Sequence, residues 1–218
     1  MEFYLDTANI EEIKEAGNLG FLDGVTTNPS ILAKEGENPE SRIKEIANYV
    51  PGKIWCQVTA ETADEMYEQA RTMNSWVKHA VIKLPMTPNG LSAAARLVQQ
   101  GIEVNMTLVY SLPQVLLAAK AGVTYISPYV GRIDDLGWDG QRFIQEALDT
   151  LQKLGSTTKV IAASIRSPQV VVDLAVSGVH AVTMQYGVLQ AMFRSPMTDI
   201  GLASFQADWN GLQAKLNG

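Results

Sequence analysis

Cysteine is nearly absent from this sequence, and long apolar runs are absent altogether. Cys56 is the single cysteine among 218 residues, so no internal disulfide can form, which is typical of proteins from a reducing cytoplasm. No apolar stretch approaches the roughly 20 residues that a membrane-spanning helix needs. The first residues also lack the basic and apolar segments of a signal peptide. We therefore expect a cytoplasmic protein that has no membrane partner.

Basic residues and histidines are also in short supply. The 17 Lys and Arg against 23 Asp and Glu give a formal net charge of −6, which argues against a nucleic-acid partner. A small anion is still compatible with this charge, because a phosphate needs only a local pair of arginines and some amide donors. His79 and His180 both precede predicted strands, and no His, Cys or carboxylate cluster has metal-site spacing. We expect no metal and no other cofactor.

Short β-prone runs alternate with helical patterns along the whole chain. Strict alternation of this kind predicts a parallel sheet. Eight units without a linker favour a single-domain (β/α)8 TIM barrel over residues 1–218, a length that is normal for this fold. The alternative is a Rossmann-like sheet, but no predicted strand is followed by a Gly-x-Gly-x-x-Gly turn. The predicted strands are Glu2–Asp6, Gly24–Thr27, Ile54–Val58, Ala80–Leu84, Glu103–Leu108, Thr124–Pro128, Val160–Ser164 and Ala181–Met184.

An additional amphipathic helix is predicted over residues 198–216, after the eighth strand. Its apolar residues recur at steps of three and four, which places them on one helical face. Such a helix can pack on its own barrel or cover a neighbouring subunit. We favour the second interpretation, and therefore a homo-oligomer, because a barrel of eight units already has its eighth helix. The apolar residues are Leu202, Phe205, Trp209, Leu212 and Leu216.

Lys83 is the most informative single residue. It interrupts the apolar, β-prone run Ala80–Pro85. Burial in such a run disfavours the charged ammonium and lowers the pKa of a lysine. A lysine that is neutral part of the time attacks carbonyl groups and forms Schiff bases. The alternative is a lysine at a strand end whose ammonium reaches solvent.

Polar residues lie at the carboxyl end of almost every predicted strand, where barrels carry their catalytic side chains. Asn105 and Thr107 occupy alternate positions, so their side chains share one face of the strand. Individually such residues can be structural, for instance Asp6 and Asn28 as helix caps. Together they predict an active site around Lys83, made of Asp6, Thr26, Thr27, Asn28, Gln57, Asn105, Thr107, Ser127, Tyr129, Ser164, Arg166 and Gln185.

Two arginines follow the sixth and seventh predicted strands. Arg132 and Arg166, together with Ser164 and backbone amides, could hold a phosphate group through bidentate hydrogen bonds. Phosphate sites in barrels often lie near the last two strands, which is close to this position. The alternative is surface ion pairing, for example of Arg132 with Asp134 or Asp135.

Six motifs together resemble the transaldolase family, in particular its small-subunit branch that includes fructose-6-phosphate aldolase. The resemblance extends over essentially the whole chain, and the combination is far more specific than any single motif. The motifs are Leu5–Asn9 (LDTAN), Gly24–Ser30 (GVTTNPS), Ile82–Thr87 (IKLPMT), Asn105–Leu108 (NMTL), Ser127–Arg132 (SPYVGR) and Ala162–Arg166 (AASIR).

The resemblance implies a metal-free class I aldolase mechanism. Lys83 would form a Schiff base with a three-carbon dihydroxyacetone unit, and Asp6 would handle the proton of the hydroxyl next to the bond being broken. Asn28 and Ser127 would bind the hydroxyls of that unit. The candidate catalytic residues are Lys83, Asp6, Tyr129, Gln57 and Thr107, and the candidate substrate-binding residues are Asn28, Thr26, Asn105, Ser127, Arg132, Ser164 and Arg166.

Two pairs of residues point to different branches of the family. Gln57 and Tyr129 resemble the aldolase branch, where they hold the water that lets the dihydroxyacetone unit be protonated and released. Asn105 and Ser127 resemble transaldolases proper. We favour the aldolase, which cleaves fructose 6-phosphate reversibly to dihydroxyacetone and glyceraldehyde 3-phosphate, because Gln57 and Tyr129 act on the step that separates the two activities.

The alternative activity is a transaldolase of the pentose phosphate pathway. It would convert sedoheptulose 7-phosphate and glyceraldehyde 3-phosphate to erythrose 4-phosphate and fructose 6-phosphate. In both cases the partners are sugar phosphates, and the family suggests pentamers, often stacked as decamers. Two weaker hypotheses are a sugar-phosphate isomerase, for which Asp6 is the sole available base, and a non-catalytic barrel that binds partners through its C-terminal helix.

Overall fold

Eight parallel strands close into a barrel in the computed structural model, which describes residues 1–216. Each strand pairs with the next one along the chain, and the first strand pairs with the eighth. The predicted (β/α)8 TIM barrel is therefore confirmed. The strands are β1 (Glu2–Asp6), β2 (Gly24–Thr26), β3 (Lys53–Gln57), β4 (Ala80–Pro85), β5 (Val104–Val109), β6 (Tyr125–Pro128), β7 (Lys159–Ile165) and β8 (Ala181–Met184).

Helices follow every strand and surround the barrel. Each strand differs from its predicted bounds by no more than one residue at either end. The predicted domain end at residue 218 falls on residues 217–218, which lie outside the described residues. The helices are α1 (Ile10–Gly17), α2 (Pro29–Glu35), α3 (Pro39–Ile46), α4 (Ala63–Asn74), α5 (Pro88–Val98), α6 (Leu112–Lys120), α7 (Val130–Asp135), α8 (Gly140–Lys153), α9 (Pro168–Val176), α10 (Tyr186–Met192) and α11 (Pro196–Leu216).

Local sequence signals set where several helices begin. Thr62 caps α4 by accepting from the Glu65 amide, and the Glu65 carboxylate accepts from the Thr62 amide in return. Ser167 caps α9, and Pro168 takes the first helical position, where its missing N–H costs nothing. These caps fix the point at which the chain leaves each strand and turns back along the barrel.

Alternation of side chains along the strands divides the core into two parts. The residues that point outward pack against the surrounding helices in one large apolar cluster. The residues that point inward form a second, smaller cluster inside the barrel. Its members lie two residues or more before the polar strand ends, so the interior has an apolar layer beneath a polar one. They are Tyr4, Trp55, Val81, Tyr125, Ile161 and Ala181.

The long C-terminal helix α11 has no buried residue. Phe205 is 72% exposed and Trp209 is 56% exposed, and nothing within residues 1–216 covers the apolar side chains of this helix. The structure therefore does not pack α11 on its own barrel, which was one of the two interpretations of its pattern. None of the described helices is long and apolar enough to cross a bilayer.

Candidate active site

A cavity of about 710 Å³ opens at the carboxyl ends of the strands. Eleven of the twelve candidate catalytic and substrate-binding residues line it, and Thr107 is the exception. They reach the cavity because each lies on the inward face of its strand or in the segment that follows the strand, which for Arg132 is helix α7. The eleven are Asp6, Thr26, Asn28, Gln57, Lys83, Asn105, Ser127, Tyr129, Arg132, Ser164 and Arg166.

Lys83 lies on β4 two residues after Val81, so its side chain rises from the apolar layer into the cavity. The residue is 5% exposed. No hydrogen bond or ion pair among residues 1–216 engages its ammonium group, although polar side chains surround it. Burial lowers the pKa of Lys83, and the negative charge of Asp6 opposes this shift only in part. A lowered pKa increases the fraction of the lysine that is neutral, and the neutral amine is the form that attacks a carbonyl.

Asp6 lies at the end of β1, beside Lys83 in the cavity. Burial raises the pKa of this carboxyl group, while the charge of Lys83 and a hydrogen bond from Thr26 act in the opposite direction. The Thr26 hydroxyl donates to Asp6 Oδ1 over 2.7 Å. Asn9 rather than Asp6 caps helix α1, so the structural alternative for Asp6 does not apply. A buried carboxylate with a raised pKa is well suited to accept and return a proton.

Thr107 lies behind the cavity wall and reaches the site through Tyr129. Its hydroxyl donates to the Tyr129 hydroxyl over 3.1 Å, and Thr107 itself is fully buried. Burial raises the pKa of Tyr129, so the phenol stays protonated at neutral pH. Gln57 lies on β3, in the wall of the same cavity, and makes no side-chain hydrogen bond among the described residues. Its amide is therefore available to a bound molecule.

Asn105 and Ser127 form a hydrogen-bonded pair on the adjacent strands β5 and β6. The Asn105 amide donates to Ser127 Oγ over 2.9 Å, and both residues are at least 95% buried. On the opposite side, Asn28 lines the cavity and also caps α2, because its Oδ1 accepts from the Ile31 amide over 3.0 Å. Asn28 therefore caps a helix and lines the cavity at the same time.

The two arginines of the predicted phosphate site have different environments. The Arg132 guanidinium on α7 lies 5.6 Å from the centre of the Tyr129 ring and has no ion pair among residues 1–216. Arg166, after β7, makes a two-pronged ion pair with Asp135. The alternative interpretation had Arg132 as the partner of Asp134 or Asp135; the structure gives that role to Arg166.

Backbone distortion occurs at two cavity-lining residues. Leu108 has φ 60° and Ser164 has φ 61°, and they are the non-glycine residues with positive φ among those described. Each lies at a shift in strand register, on β5 and β7. A left-handed backbone in an ordinary residue costs free energy and is found mainly at functional sites. Here both left-handed residues lie in the cavity wall.

Thr183 on β8 is a cavity-lining residue that the sequence analysis missed. Its hydroxyl lies 2.6 Å from that of Thr26, which in turn binds Asp6. The missed signal is the alternation along β8, because Ala181 points into the barrel and Thr183 must do the same. Lys34 on α2 also lines the cavity, and it lies one helical turn after Ser30. Among residues 1–216 there is no cluster of three or more potential metal ligands.

Comparison with known proteins assigns the family. A family model described as transaldolase/fructose-6-phosphate aldolase matches residues 3–216. The chain belongs to this family. A protein named "Probable transaldolase" from Lactiplantibacillus plantarum is 47% identical over 214 residues, which cover 98% of this chain and 99% of that protein. A protein of the same name from Shouchella clausii is 46% identical over 210 residues, covering 96% and 97%.

More distant structures share only the barrel. A mandelate oxidase mutant with an FMN adduct superposes with a TM-score of 0.59 at 13% identity and covers 85% of this chain. A flavocytochrome b2 mutant with bound sulfite gives 0.62, also at 13% identity and 85% coverage. The chain spans 64% and 57% of these two proteins. At this identity the likeness supports the fold of the family and nothing about its chemistry.

Proposed function

We propose that this protein is a Schiff-base aldolase that cleaves fructose 6-phosphate to dihydroxyacetone and glyceraldehyde 3-phosphate. The observation that carries the proposal is the buried Lys83, which has no hydrogen-bond partner among residues 1–216 and faces a polar cavity. A structural lysine in a barrel interior would need a partner to offset its desolvation. The membership of the family supports the same chemistry.

In the first step the neutral Lys83 amine attacks the C2 carbonyl of the ketose. The carbinolamine takes up one proton from solvent and loses water to become a protonated imine, which draws electrons from the neighbouring carbon. The Asp6 carboxylate takes the proton of the C4 hydroxyl, the C3–C4 bond breaks, and its electron pair enters the imine to give an enamine. Glyceraldehyde 3-phosphate leaves as the C4 oxygen becomes a carbonyl oxygen.

The fate of the enamine decides between the two activities of the family. If C3 takes a proton and water then hydrolyses the imine, dihydroxyacetone is released and the enzyme is an aldolase. If the enamine instead attacks a second aldehyde, the enzyme is a transaldolase. We propose protonation, with Gln57 and Tyr129 binding the water that it needs. The unengaged amide of Gln57 and the protonated Tyr129 phenol support this assignment.

The transaldolase is the second candidate, and two observations favour it. Asn105 and Ser127 form a buried pair beside Lys83, and both residue types are those of transaldolases proper. The relatives at 46–47% identity also bear the name "Probable transaldolase". This candidate uses the same lysine, the same Asp6 and the same phosphate contacts, so it differs from the first only in what quenches the enamine.

The deciding experiment is the release of glyceraldehyde 3-phosphate from fructose 6-phosphate, with and without erythrose 4-phosphate. Steady release without the acceptor is the result expected of an aldolase. Release that occurs only when erythrose 4-phosphate is present would overturn the aldolase assignment and establish the transfer reaction. An absence of release in both assays, with no borohydride-trapped adduct on Lys83, would overturn Schiff-base chemistry altogether.

The double variant Gln57→Glu with Tyr129→Phe tests the proposed role of the water site. We expect the ratio of transfer to cleavage to rise about tenfold, the scale of losing one or two hydrogen bonds to a bound water. The matched control is Tyr110→Phe, because Tyr110 packs edge-on against the Tyr129 ring at 6.0 Å without lining the cavity. An unchanged ratio in the double variant would contradict the role of Gln57 and Tyr129.

The assembly and compartment follow as further parts of the proposal. The exposed apolar face of α11 supports a homo-oligomer in which this helix covers a neighbouring subunit, as in the pentamers and decamers of the family. The single cysteine supports a cytoplasmic location. Sedimentation of the full chain tests the first, and a monomer at micromolar concentration would contradict it.

A further inference from the structure

Arg166 presents the same two donors to a carboxylate that it would present to a phosphate. Its Nη1 and Nη2 donate to Oδ1 and Oδ2 of Asp135, both over 2.5 Å. This parallel pair of hydrogen bonds is the arrangement by which a guanidinium also binds two oxygens of a phosphate. Arg166 lines the cavity, whereas Asp135, at the last position of α7, lies outside its lining.

The backbone of α7 allows this contact. A side chain at Gly131 would meet the Ser164 carbonyl oxygen at 2.4 Å and Arg166 Nε at 2.8 Å, so only glycine lets the arginine lie against the helix. Asp135 is four residues later and therefore on the same face of α7, one turn further on. The Arg166 side chain therefore lies along α7, and its guanidinium reaches Asp135.

The Asp135–Arg166 pair is ionic at neutral pH, and both side chains are exposed to solvent. The hydrogen bonds and charge of Arg166 lower the pKa of Asp135, so the carboxylate is charged at neutral pH. The two side chains are 56% and 53% exposed. Exposed ion pairs are weak, and a doubly charged phosphate that also contacts Arg132 and Ser164 can displace a single carboxylate.

We propose that Asp135 is an internal competitor for the phosphate-binding part of the cavity. In the free enzyme its carboxylate occupies the Arg166 guanidinium, and a phosphorylated substrate binds fully only after displacing it. The competitor therefore weakens the binding of phosphate esters and leaves the binding of unphosphorylated donors unaffected. This inference rests on the proposed function only in assigning a phosphate group to Arg132, Ser164 and Arg166.

The test is the binding of inorganic phosphate to the full chain, measured by titration calorimetry without turnover. In Asp135→Asn we expect the Kd to fall about two- to fivefold, which is the scale of one exposed ion pair. The same substitution in an Arg166→Gln background should change nothing. The matched control is Asp64→Asn, which removes the carboxylate of another exposed pair, with Arg96 at 2.6 Å, outside the cavity.

Each other outcome overturns the inference in a recognisable way. A higher Kd in Asp135→Asn would mean that Asp135 orients Arg166 for phosphate instead of competing with it. A lower Kd that persists in the Arg166→Gln background, or that Asp64→Asn reproduces, would mean a general effect of surface charge. No phosphate binding by any variant would remove the phosphate subsite, while borohydride trapping on Lys83 would still report separately on the lysine chemistry.

Kinetics supply a second readout. For fructose 6-phosphate, Asp135→Asn should lower KM by the same two- to fivefold while kcat is unchanged. For unphosphorylated fructose neither constant should move. A lower KM for both sugars would contradict competition at the phosphate subsite, because only one of them carries the group that Asp135 opposes.

Discussion

Two lysines inside the same barrel have opposite environments. Lys53, at the amino end of β3, donates to Glu103 Oε1 and to the Tyr125 hydroxyl, each over 2.7 Å. Lys83, near the carboxyl end of β4, has no hydrogen-bond partner among residues 1–216. Burial acts to lower the pKa of both, but the partners of Lys53 reverse the shift and raise its pKa. The lysine side chain is thus paired at one end of the barrel and unpaired at the other, where the proposed Schiff-base chemistry requires it.

The layers around these lysines differ in the same way. At the amino end the rings of Tyr4, Trp55 and Tyr125 make edge contacts at 4.5 and 5.5 Å and fill the interior. Lys159 pairs with Glu2 over 2.9 Å on the rim below them. At the carboxyl end the interior is a cavity with polar walls. From this comparison we infer that the proposed role of Lys83 needs closely packed apolar side chains beneath it and, around it, polar side chains that leave its ammonium group without a hydrogen bond.

Removing Lys83 should have the largest effect on activity. We expect Lys83→Met to lose activity on the order of 10⁶-fold, the scale seen when a catalytic nucleophile is removed. Stability should rise by about 0.5–2 kcal/mol, because a buried charge without a hydrogen-bond partner is removed. Steady-state cleavage and urea unfolding at pH 7 measure the two effects.

The gain in stability should also depend on pH. The folded-state pKa of Lys83 is below 10.5, so its protonation opposes folding at neutral pH and this penalty fades as the pH rises toward 10.5. The stability difference between Lys83→Met and the parent should therefore shrink at alkaline pH. If Lys83→Met were less stable than the parent at pH 7, the conclusion that Lys83, unlike Lys53, destabilises the fold would be wrong.

Removing the carboxylate next to Lys83 should have the next largest effect. Asp6→Asn should lose about 10²- to 10⁴-fold in kcat/KM, because no base remains for the hydroxyl proton. In the parent enzyme, activity should fall as the pH drops through the pKa of Asp6, which burial raises above 3.8. The variant should lack this acid limb. A pH profile of kcat/KM measures both.

The matched control is Glu103→Gln, which changes a carboxylate of the other layer. It should keep the acid limb and nearly all the activity, because Glu103 binds Lys53 and lies outside the cavity. Loss of the acid limb in this variant would show that the charge of Glu103, at the amino end of the barrel, influences the titration of Asp6 at the carboxyl end.

Removing Lys53 should have the smallest effect, and it should be on stability alone. Lys53→Met should destabilise the fold by about 1–2 kcal/mol at pH 7, since Glu103 and the Tyr125 hydroxyl lose their partner. The folded-state pKa of Lys53 is raised, so its contribution is fully present below 10.5 and is lost as the pH rises further. Urea unfolding at pH 7 and pH 11 measures the difference, which should narrow at the higher pH. A large loss of activity would contradict the division of roles.

The fold was predictable because each strand carries its own local pattern and the repeated alternation specifies the topology. The site was predictable in part because strand parity puts Asn105, Ser127 and Lys83 on one face. The same parity would have revealed Thr183, had it been applied to β8. The ion pair of Arg166 with Asp135 was not predictable, because it depends on the positive φ of Ser164 and on the space above Gly131.

The partner of α11 could not be read from the sequence for a different reason. The spacing of Phe205 and Trp209 establishes an apolar helical face, and the structure agrees that the helix exists. A pattern of this kind predicts that the apolar face is buried, but it does not identify the surface that covers it. For the same reason the network of Lys53 escaped prediction, since Glu103, just before β5, and Tyr125, on β6, are distant from Lys53 in the sequence.

The alternation of side chains along β4 also limits which insertions and deletions the protein tolerates. Deleting a single residue between Ala80 and Lys83 would turn the lysine outward against the helices and bring an apolar neighbour into the cavity, with the composition almost unchanged. Insertions and deletions should therefore be confined to the loops and helix ends, whereas substitutions can accumulate within the strands. Because side chains alternate between the two faces of a strand, a change of one residue in the length of β4 would remove Lys83 from the cavity as surely as a frameshift would alter the sequence after it.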